Sequence, residues 1–315
     1  MPEGFITRVS TGNDVAAEAL RGLSARRKTL PPKLFYDEAG CALFGAITNL
    51  PEYYATRTET GILRDRAAEI AARIAPGCAL VEYGASDESK AAILFDHLDA
   101  DAYVPIDIAH DALQNLTQRM GWSHRGLTVH PIAADFLAPV HLPNAICAMP
   151  KLGFFPGSTI GNLDPAQAVR FLGMVRETLD KGASLLIGVD LEKSPALLVP
   201  AYDDAEGVTA AFNLNILQRL NREADADFDP GLFKHRAIWN DHHKRIEMHL
   251  QSRIAQTIYL AGHPIRFHAG ETIHTENSYK FSISAFSALA QEAGWQSDAC
   301  WTDADELFSV HLLGT

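Results

Sequence analysis

The sequence CALVEYGASDESKAAILFDHL, residues 78–98, predicts a strand, a tight turn and a helix in succession. Apolar and β-prone residues occupy positions 78–81, a glycine follows at position 84, and apolar residues then recur with helical spacing. Gly84 allows a sharp turn at the end of the strand, and Ser86 or Asp87 can cap the helix. This pattern is typical of the first βα unit of a nucleotide-binding sheet.

The turn after this strand also limits the kind of ligand. It does not fit the dinucleotide pattern GxGxxG, because Ser86 and Ser89 stand where two of the glycines would be. A pyrophosphate pressed against the backbone is therefore disfavoured, although the N-terminus of the helix still offers N–H groups to an anion. A nucleoside that carries a carboxylate fits both features, and S-adenosylmethionine (SAM) is such a ligand.

Further strands alternate with helices downstream, and they predict an α/β fold with a parallel, doubly wound sheet. The alternation breaks over residues 192–279, where a long helix at about 207–222 precedes the alternating strand RIEMHLQSRI. We interpret this stretch as an inserted lobe. The predicted domains are residues 61–191 plus 280–315, which form the sheet, and residues 1–60 plus 192–279, which form the second lobe.

Composition and charge narrow the class of protein. The chain has 315 residues and a net charge of −12, which argues against nucleic acid or an anionic membrane as a main partner. There is no signal-peptide pattern and no apolar run long enough to span a membrane, so we expect a cytoplasmic protein. The cysteines are scattered, and the apolar surroundings of Cys78 and Cys147 predict buried free thiols.

Acidic residues follow two of the predicted strands and favour an adenosine-type cofactor. Asp107 ends the strand after the glycine turn, a little over twenty residues on, where a carboxylate holds a ribose diol. Asp135 ends the next strand and could accept from an adenine amino group, with Phe136 against the ring. Each aspartate taken singly is better explained as a helix cap. Their occurrence on successive strand ends favours the cofactor.

A second group of candidates lies near the end of the inserted lobe. In Thr275–Ser278, an extended backbone would place Glu276 and Ser278 on the same side, where together they could hold a ring with two donors, such as imidazole. An exposed strand end explains this segment equally well. The thirteen histidines show no metal-ligand spacing, so we predict no metal.

Several stretches together resemble one family, the SAM-dependent histidine Nα-methyltransferases of ergothioneine biosynthesis. The matching stretches are LFYDEAG, LPEYYATRTE, LVEYGASDESK, GSTIGNL, AYDDAEGVTAAFN, IEMHL and TENSYKF. This resemblance implies a class I (Rossmann-like) methyltransferase sheet that binds SAM. It also implies a second, α+β lobe that binds the substrate, built from the N-terminal segment and the insertion.

The resemblance also implies roles for individual residues. The SAM contacts would be Gly84, Lys90, Asp107, Asp135 and Phe136. The residues that bind histidine would be Tyr53, Asn162, Tyr202, Met248, Glu276 and Ser278, with Tyr53 and Asn162 as the catalytic residues. The chain departs from the family at Ser86, where the family usually has a second glycine.

The implied reaction is methylation of the α-amino group of free L-histidine, as far as the trimethylated betaine, by a monomeric enzyme. Three alternatives stay open. The protein could methylate a different amino acid, it could be a non-catalytic SAM-binding protein, or it could be a nicotinamide-dependent oxidoreductase. The GASDES turn disfavours the last of these.

Overall fold

The computed structural model describes residues 12–85, 87–124 and 126–315. These residues form two compact units. The first unit contains Ala55–Glu192 and Lys280–Thr315, and the second contains the described part of Ser10–Tyr54 together with Lys193–Tyr279. Within the described ranges, every helix is too short or too polar to cross a membrane.

The helices and strands of the described residues are numbered in chain order. The α-helices are α1 Gly12–Leu23, α2 Glu38–Ile47, α3 Tyr54–Ala71, α4 Ser89–Phe95, α5 His110–Ser123, α6 Pro165–Leu179, α7 Pro195–Leu198, α8 Val208–Glu223 and α9 Ile283–Glu292. The strands are β1 Lys28–Thr29, β2 Cys78–Tyr83, β3 Ala100–Asp107, β4 Thr128–Val129, β5 Ile132–Ala133, β6 Lys151–Phe155, β7 Ser184–Asp190, β8 Phe233–Asn240, β9 Arg245–Ser252, β10 Gln256–Leu260, β11 His263–Phe267, β12 Thr272–Tyr279, β13 Gln296–Thr302 and β14 Phe308–Gly314.

The first unit is organised around one sheet with the strand order β13-β14-β7-β6-β2-β3-β4, and β5 also pairs with β3. The strands from β7 to β4 are parallel, and β14 runs antiparallel to both β7 and β13. This topology confirms the predicted α/β class I fold. The chain proceeds from the central strand β2 to β3 on one side and later to β6 on the other, so the topological switch point lies between β2 and β6.

The central strands β2, β3, β6 and β7 are buried on both faces of the sheet, which explains their nearly continuous apolar sequences. All six residues of β2 are buried. The C-terminal segment is tied to the end of β7 by an ion pair between Lys280 Nζ and Asp190 Oδ2 at 2.6 Å, with both side chains almost fully buried. The N–H of Phe281 also donates to the carbonyl of Asp190.

The second unit contains a sheet of order β1-β12-β9-β8 and the hairpin β10-β11. The strands β8 and β9 pair antiparallel up to Asn240 and Arg245, so residues 241–244 form the turn of a hairpin. The aromatic side chains of the N-terminal segment join the core of this unit: Phe35 stacks on Phe212 of α8 with ring centroids 4.6 Å apart. Most of those aromatics therefore serve packing.

Two sequence predictions differ from the structure. The strand predicted before Asp135 is broken into β4 and β5, because Pro131 lies between them and has no N–H to donate to a sheet. Cys147 was expected to be buried and is exposed, since it follows a short 3₁₀ turn in the loop before β6. Of the two predicted caps of α4, Asp87 accepts the N–H of Ser89 at 2.8 Å, and Ser86 lies outside the described residues.

Candidate functional site

In the turn after β2, an aromatic ring lies next to a glycine, which has no side chain to cover its backbone. Gly84 has φ +80°, a conformation that favours glycine. A Cβ built on Gly84 would lie 3.5 Å from Cε1 of Phe136, so the Phe136 ring borders the space that a side chain would fill. The Phe136 ring also packs against Phe155 and Phe171, whose ring centroids lie 5.6 and 5.9 Å from its own. The strand end therefore offers an open backbone next to a fixed flat ring.

Two carboxylates lie on the neighbouring strand ends. Asp107 is paired with Ala133 in the β3–β5 ladder, so Asp135 follows only two residues beyond its partner. Asp107 Oδ1 accepts the N–H of Ala109 at 2.7 Å, and burial raises the pKa of the Asp107 carboxyl. Asp135 Oδ1 accepts the N–H of Leu137 at 3.0 Å. Each carboxylate thus accepts a backbone N–H two residues later in its own turn, and this hydrogen bond fixes its position.

The side chain of Lys90 extends from the start of α4 toward the loop after β6. Its Nζ donates to Glu59 Oε2 at 2.5 Å, and the N–H of Gly157 donates to the same carboxylate at 2.9 Å. Glu59 was not among the residues predicted from the sequence. No motif spacing could reveal it, because it lies 31 residues from Lys90 and 98 from Gly157 along the chain.

The loop Gly157–Leu163, which carries Asn162, is anchored to the sheet at its beginning. Ser158 has φ 57°, and its Oγ accepts the N–H of Asp190 at 2.9 Å. A 3₁₀ turn over Thr159–Asn162 follows directly. The backbone that presents Asn162 is therefore set by contacts to the ends of β6 and β7.

In the second unit, the structure brings together several of the residues expected to bind substrate. Tyr202 Oη and Ser278 Oγ lie 2.7 Å apart, and the rings of Tyr53 and Tyr202 meet edge to face with centroids 6.3 Å apart. We call Tyr53, Tyr202 and Ser278 the tyrosine–serine cluster. Glu276 is paired across the sheet with Met248, and the register runs unbroken from Glu276 to Tyr279, so Glu276 and Ser278 occupy the same face.

A buried polar network lies beneath this cluster and was not predicted. The Asn213 amide nitrogen donates to His235 Nδ1 at 2.8 Å, and Asn213 Oδ1 accepts from the Thr275 hydroxyl at 2.8 Å. His235 Nε2 then donates to the carbonyl of Tyr202 at 2.8 Å. Burial lowers the pKa of His235, in keeping with a neutral ring that uses one nitrogen as donor and the other as acceptor. The network fixes the backbone of Tyr202 relative to β12.

A buried acid lies in β2, just before the glycine turn. Burial raises the pKa of Glu82 from its ordinary 4.5 to about 8, although its hydrogen bond from the Tyr103 hydroxyl at 2.5 Å works in the opposite direction. At neutral pH this carboxyl is therefore mostly protonated in the folded protein. An unfolded chain would have it ionised.

The Glu82→Gln variant should accordingly differ from the parent in its pH dependence of stability. The folded protein holds this proton between pH 4.5 and about 8 and the unfolded chain does not, so the parent loses stability as the pH rises through that window. Glutamine cannot ionise, so the stability of Glu82→Gln relative to that of the parent should rise steadily from pH 5 toward pH 8. Urea unfolding over a pH series measures this difference. Parallel curves for the two proteins would contradict the assignment.

Across β9 and β12 the structure also assembles a group of side chains able to ligate a metal. Within the described part of the chain, ligand atoms of Glu247, His249 and His274 lie within 4.8 Å of one another. The sequence could not reveal this group, since it spans two strands. Arg245 Nη2, however, lies 2.5 Å from Glu247 Oε1. Despite burial, contacts led by Arg245 hold the pKa of Glu247 down at about 2.

Comparisons with known proteins identify the family. A family model described as "Histidine-specific methyltransferase, SAM-dependent" matches residues 15–315. A histidine N-alpha-methyltransferase of Mycolicibacterium smegmatis is 44% identical over 95% of this chain and 96% of its own. The corresponding protein of Mycobacterium tuberculosis is 39% identical over 96% of both chains. Ergothioneine biosynthesis protein 1 of Neurospora crassa is 31% identical over 91% of this chain and 33% of its own length.

The family match covers both units, including the strand ends of the first and the tyrosine–serine cluster of the second. With the class I sheet, the acidic strand ends and this match in agreement, the chain belongs to the family of SAM-dependent, histidine-specific methyltransferases.

Proposed function

We propose that this enzyme methylates the α-amino nitrogen of free L-histidine, as far as the trimethylated betaine, in the first step of ergothioneine biosynthesis. The observation that carries the proposal is the 44% identity to a histidine N-alpha-methyltransferase over 95% of the chain. A relative named for ergothioneine biosynthesis supports the pathway.

The residues at the strand ends of the first unit suit SAM. In this proposal Asp107 accepts hydrogen bonds from the ribose hydroxyls, and Asp135 accepts one from the adenine amino group. The Phe136 ring packs on adenine, beside the space left open at Gly84. Lys90 binds the carboxylate of the methionine moiety, because its ammonium is a cation next to the turn that follows β2.

The residues that the family resemblance assigns to the substrate have separate proposed roles. In this proposal Asn162 and Tyr202 bind the carboxylate of histidine, and Glu276 and Ser278 bind its imidazole ring. The 2.7 Å contact between Tyr202 and Ser278 supports an arrangement in which both ends of one small amino acid are bound by adjoining groups. Histidine is the amino acid whose ring offers two nitrogens to such a pair.

Tyr53 and Met248 complete the substrate side in this proposal. The ring of Tyr53 lies edge to face with Tyr202, and Met248 is buried opposite Glu276. Aromatic faces suit the product, because a quaternary ammonium is attracted to π systems. Each methylation enlarges the amino group and removes an N–H, and an aromatic face can accommodate the group without a hydrogen bond from it.

The chemistry requires little acid–base help from the protein. When bound, SAM would supply a sulfonium methyl group: the amine lone pair forms an N–C bond to the methyl carbon as the S–C bond breaks, so S-adenosylhomocysteine leaves with the bonding pair and the amine becomes a methylated ammonium. The protein must therefore bind histidine with its amine neutral and in line with the methyl group. In this proposal Asn162 and Tyr202 orient the substrate through its carboxylate, and Tyr53 assists at the imidazole. A nearby cationic sulfonium favours the neutral amine.

We further propose that the enzyme acts without a metal, as a cytoplasmic monomer. The Glu247, His249 and His274 group is a poor cation site in this proposal, because the guanidinium of Arg245 already neutralises its one carboxylate. The scattered free cysteines support a reducing compartment. Gel filtration tests the oligomeric state.

The deciding experiment incubates the purified protein with SAM and L-histidine and follows the products by mass spectrometry. We expect successive gains of one, two and three methyl groups on histidine, with an unchanged rate in EDTA. Tryptophan and other amino acids are run in parallel. Methylation of another amino acid in preference to histidine would favour the first alternative, and SAM binding without any transfer would favour a non-catalytic protein.

A further inference from the structure

Glu59 is a buried acid in the second turn of α3, and none of the roles assigned above uses it. Its side chain is 1% exposed. One carboxylate oxygen accepts from Lys90 Nζ at 2.5 Å, and both lie within 3.0 Å of the backbone nitrogen of Gly157. A single carboxylate therefore connects the start of α4, after β2, to the loop after β6.

The sheet is shaped to admit this side chain. A Cβ built on Gly188 of β7 would lie 2.0 Å from Glu59 Oε1, so any larger residue there would displace the carboxylate. Glu59 contacts Lys90, which follows β2, and Gly157, which follows β6, and the switch point where ligands of doubly wound sheets bind lies between these two strands. A buried ion pair is a weak contributor to stability, which leaves its geometric effect as the better explanation.

We propose that Glu59 is a positioning residue for the methyl donor. It fixes the ammonium of Lys90 and the backbone of Gly157 so that Lys90 points one of its remaining N–H donors at the carboxylate of the methionine moiety. This inference rests on the proposed role of Lys90 in binding SAM. Glu59 itself, being an anion, would repel that carboxylate and acts through Lys90.

Two product-like ligands separate this role from a general structural one. S-adenosylhomocysteine carries the amino-acid carboxylate, and 5′-methylthioadenosine has the same nucleoside without it. We expect Glu59→Gln to weaken binding of S-adenosylhomocysteine about tenfold in calorimetry and to leave 5′-methylthioadenosine within about twofold. The control is Glu69→Gln, the same change on the same helix at an exposed acid paired with Arg66 and Arg73, which should alter neither.

The double variant Glu59→Gln with Lys90→Met keeps the test decisive if Glu59→Gln alone fails to fold, because it removes both members of the ion pair. Its affinity for S-adenosylhomocysteine should be no lower than that of Lys90→Met, since Glu59 helps binding only through Lys90 and its own charge repels the ligand carboxylate. Equal weakening of both ligands in Glu59→Gln, or a double variant clearly weaker than Lys90→Met, would overturn the inference. Histidine takes no part in these titrations, so they stand apart from the test of the substrate.

Discussion

The Glu276→Ala variant should raise the KM for histidine roughly 100-fold while changing the KM for SAM by less than about twofold. Glu276 lies on the same face of β12 as Ser278, opposite Met248, and its carboxylate is the proposed acceptor for an imidazole N–H. Loss of a hydrogen bond to a charged acceptor has this magnitude. Because the ring contact is the same before and during methyl transfer, kcat should change much less than KM.

The matched variants sharpen this test. Glu276→Gln keeps the shape and one acceptor oxygen but loses the charge, so its KM for histidine should fall between those of the parent and Glu276→Ala. Glu223→Ala removes an acid of the same unit whose partner is Arg219 on the same helix, and it should leave both constants unchanged. Unaltered histidine kinetics in Glu276→Ala would remove the ring-binding role from this residue.

The Asp107→Asn variant should bind S-adenosylhomocysteine roughly 100-fold more weakly than the parent. A carboxylate that accepts two ribose hydroxyls makes charge-assisted hydrogen bonds that an amide only partly replaces. The substitution keeps an oxygen to accept the N–H of Ala109, so the turn after β3 should survive. Isothermal titration calorimetry measures the affinity directly.

Asp101→Asn is the control for this variant, since Asp101 is an exposed acid at the other end of the same strand. It should bind S-adenosylhomocysteine like the parent. If Asp107→Asn also bound at the parent affinity, the ribose would have to be held elsewhere, and the assignment of the cofactor site to this strand end would fail.

Local pattern was enough to predict the sheet of the first unit. Four of its strands are short apolar runs that end at or near a glycine or an aspartate, namely β2, β3, β6 and β7. Runs of this kind can be recognised directly from the pattern of hydrophobic residues. The order of strands follows from the rules for βα units. The strand predicted before Asp135 was wrong in its continuity. Pro131 has no N–H to pair, and it divides the strand into β4 and β5.

Contacts between residues that are distant along the chain could not be predicted from the sequence. Glu59, Asn213, His235 and Thr275 belong to no motif that predicts their partners, and Glu247, His249 and His274 meet across two strands. Motif resemblance did name Tyr202 and Ser278, which are 76 residues apart. It did not indicate that their hydroxyl groups touch.

The sequence by itself determined the α/β sheet, the acidic strand ends and the family, because each depends on the order of residues within short stretches. The tertiary structure alone decided which carboxylate orients Lys90, which side chains fix Tyr202 and which hydroxyl groups meet. Those outcomes depend on how strands and helices that are distant along the chain pack together. Such packing brings side chains within hydrogen-bonding distance, but it produces no periodic pattern in the sequence from which the contact could be predicted.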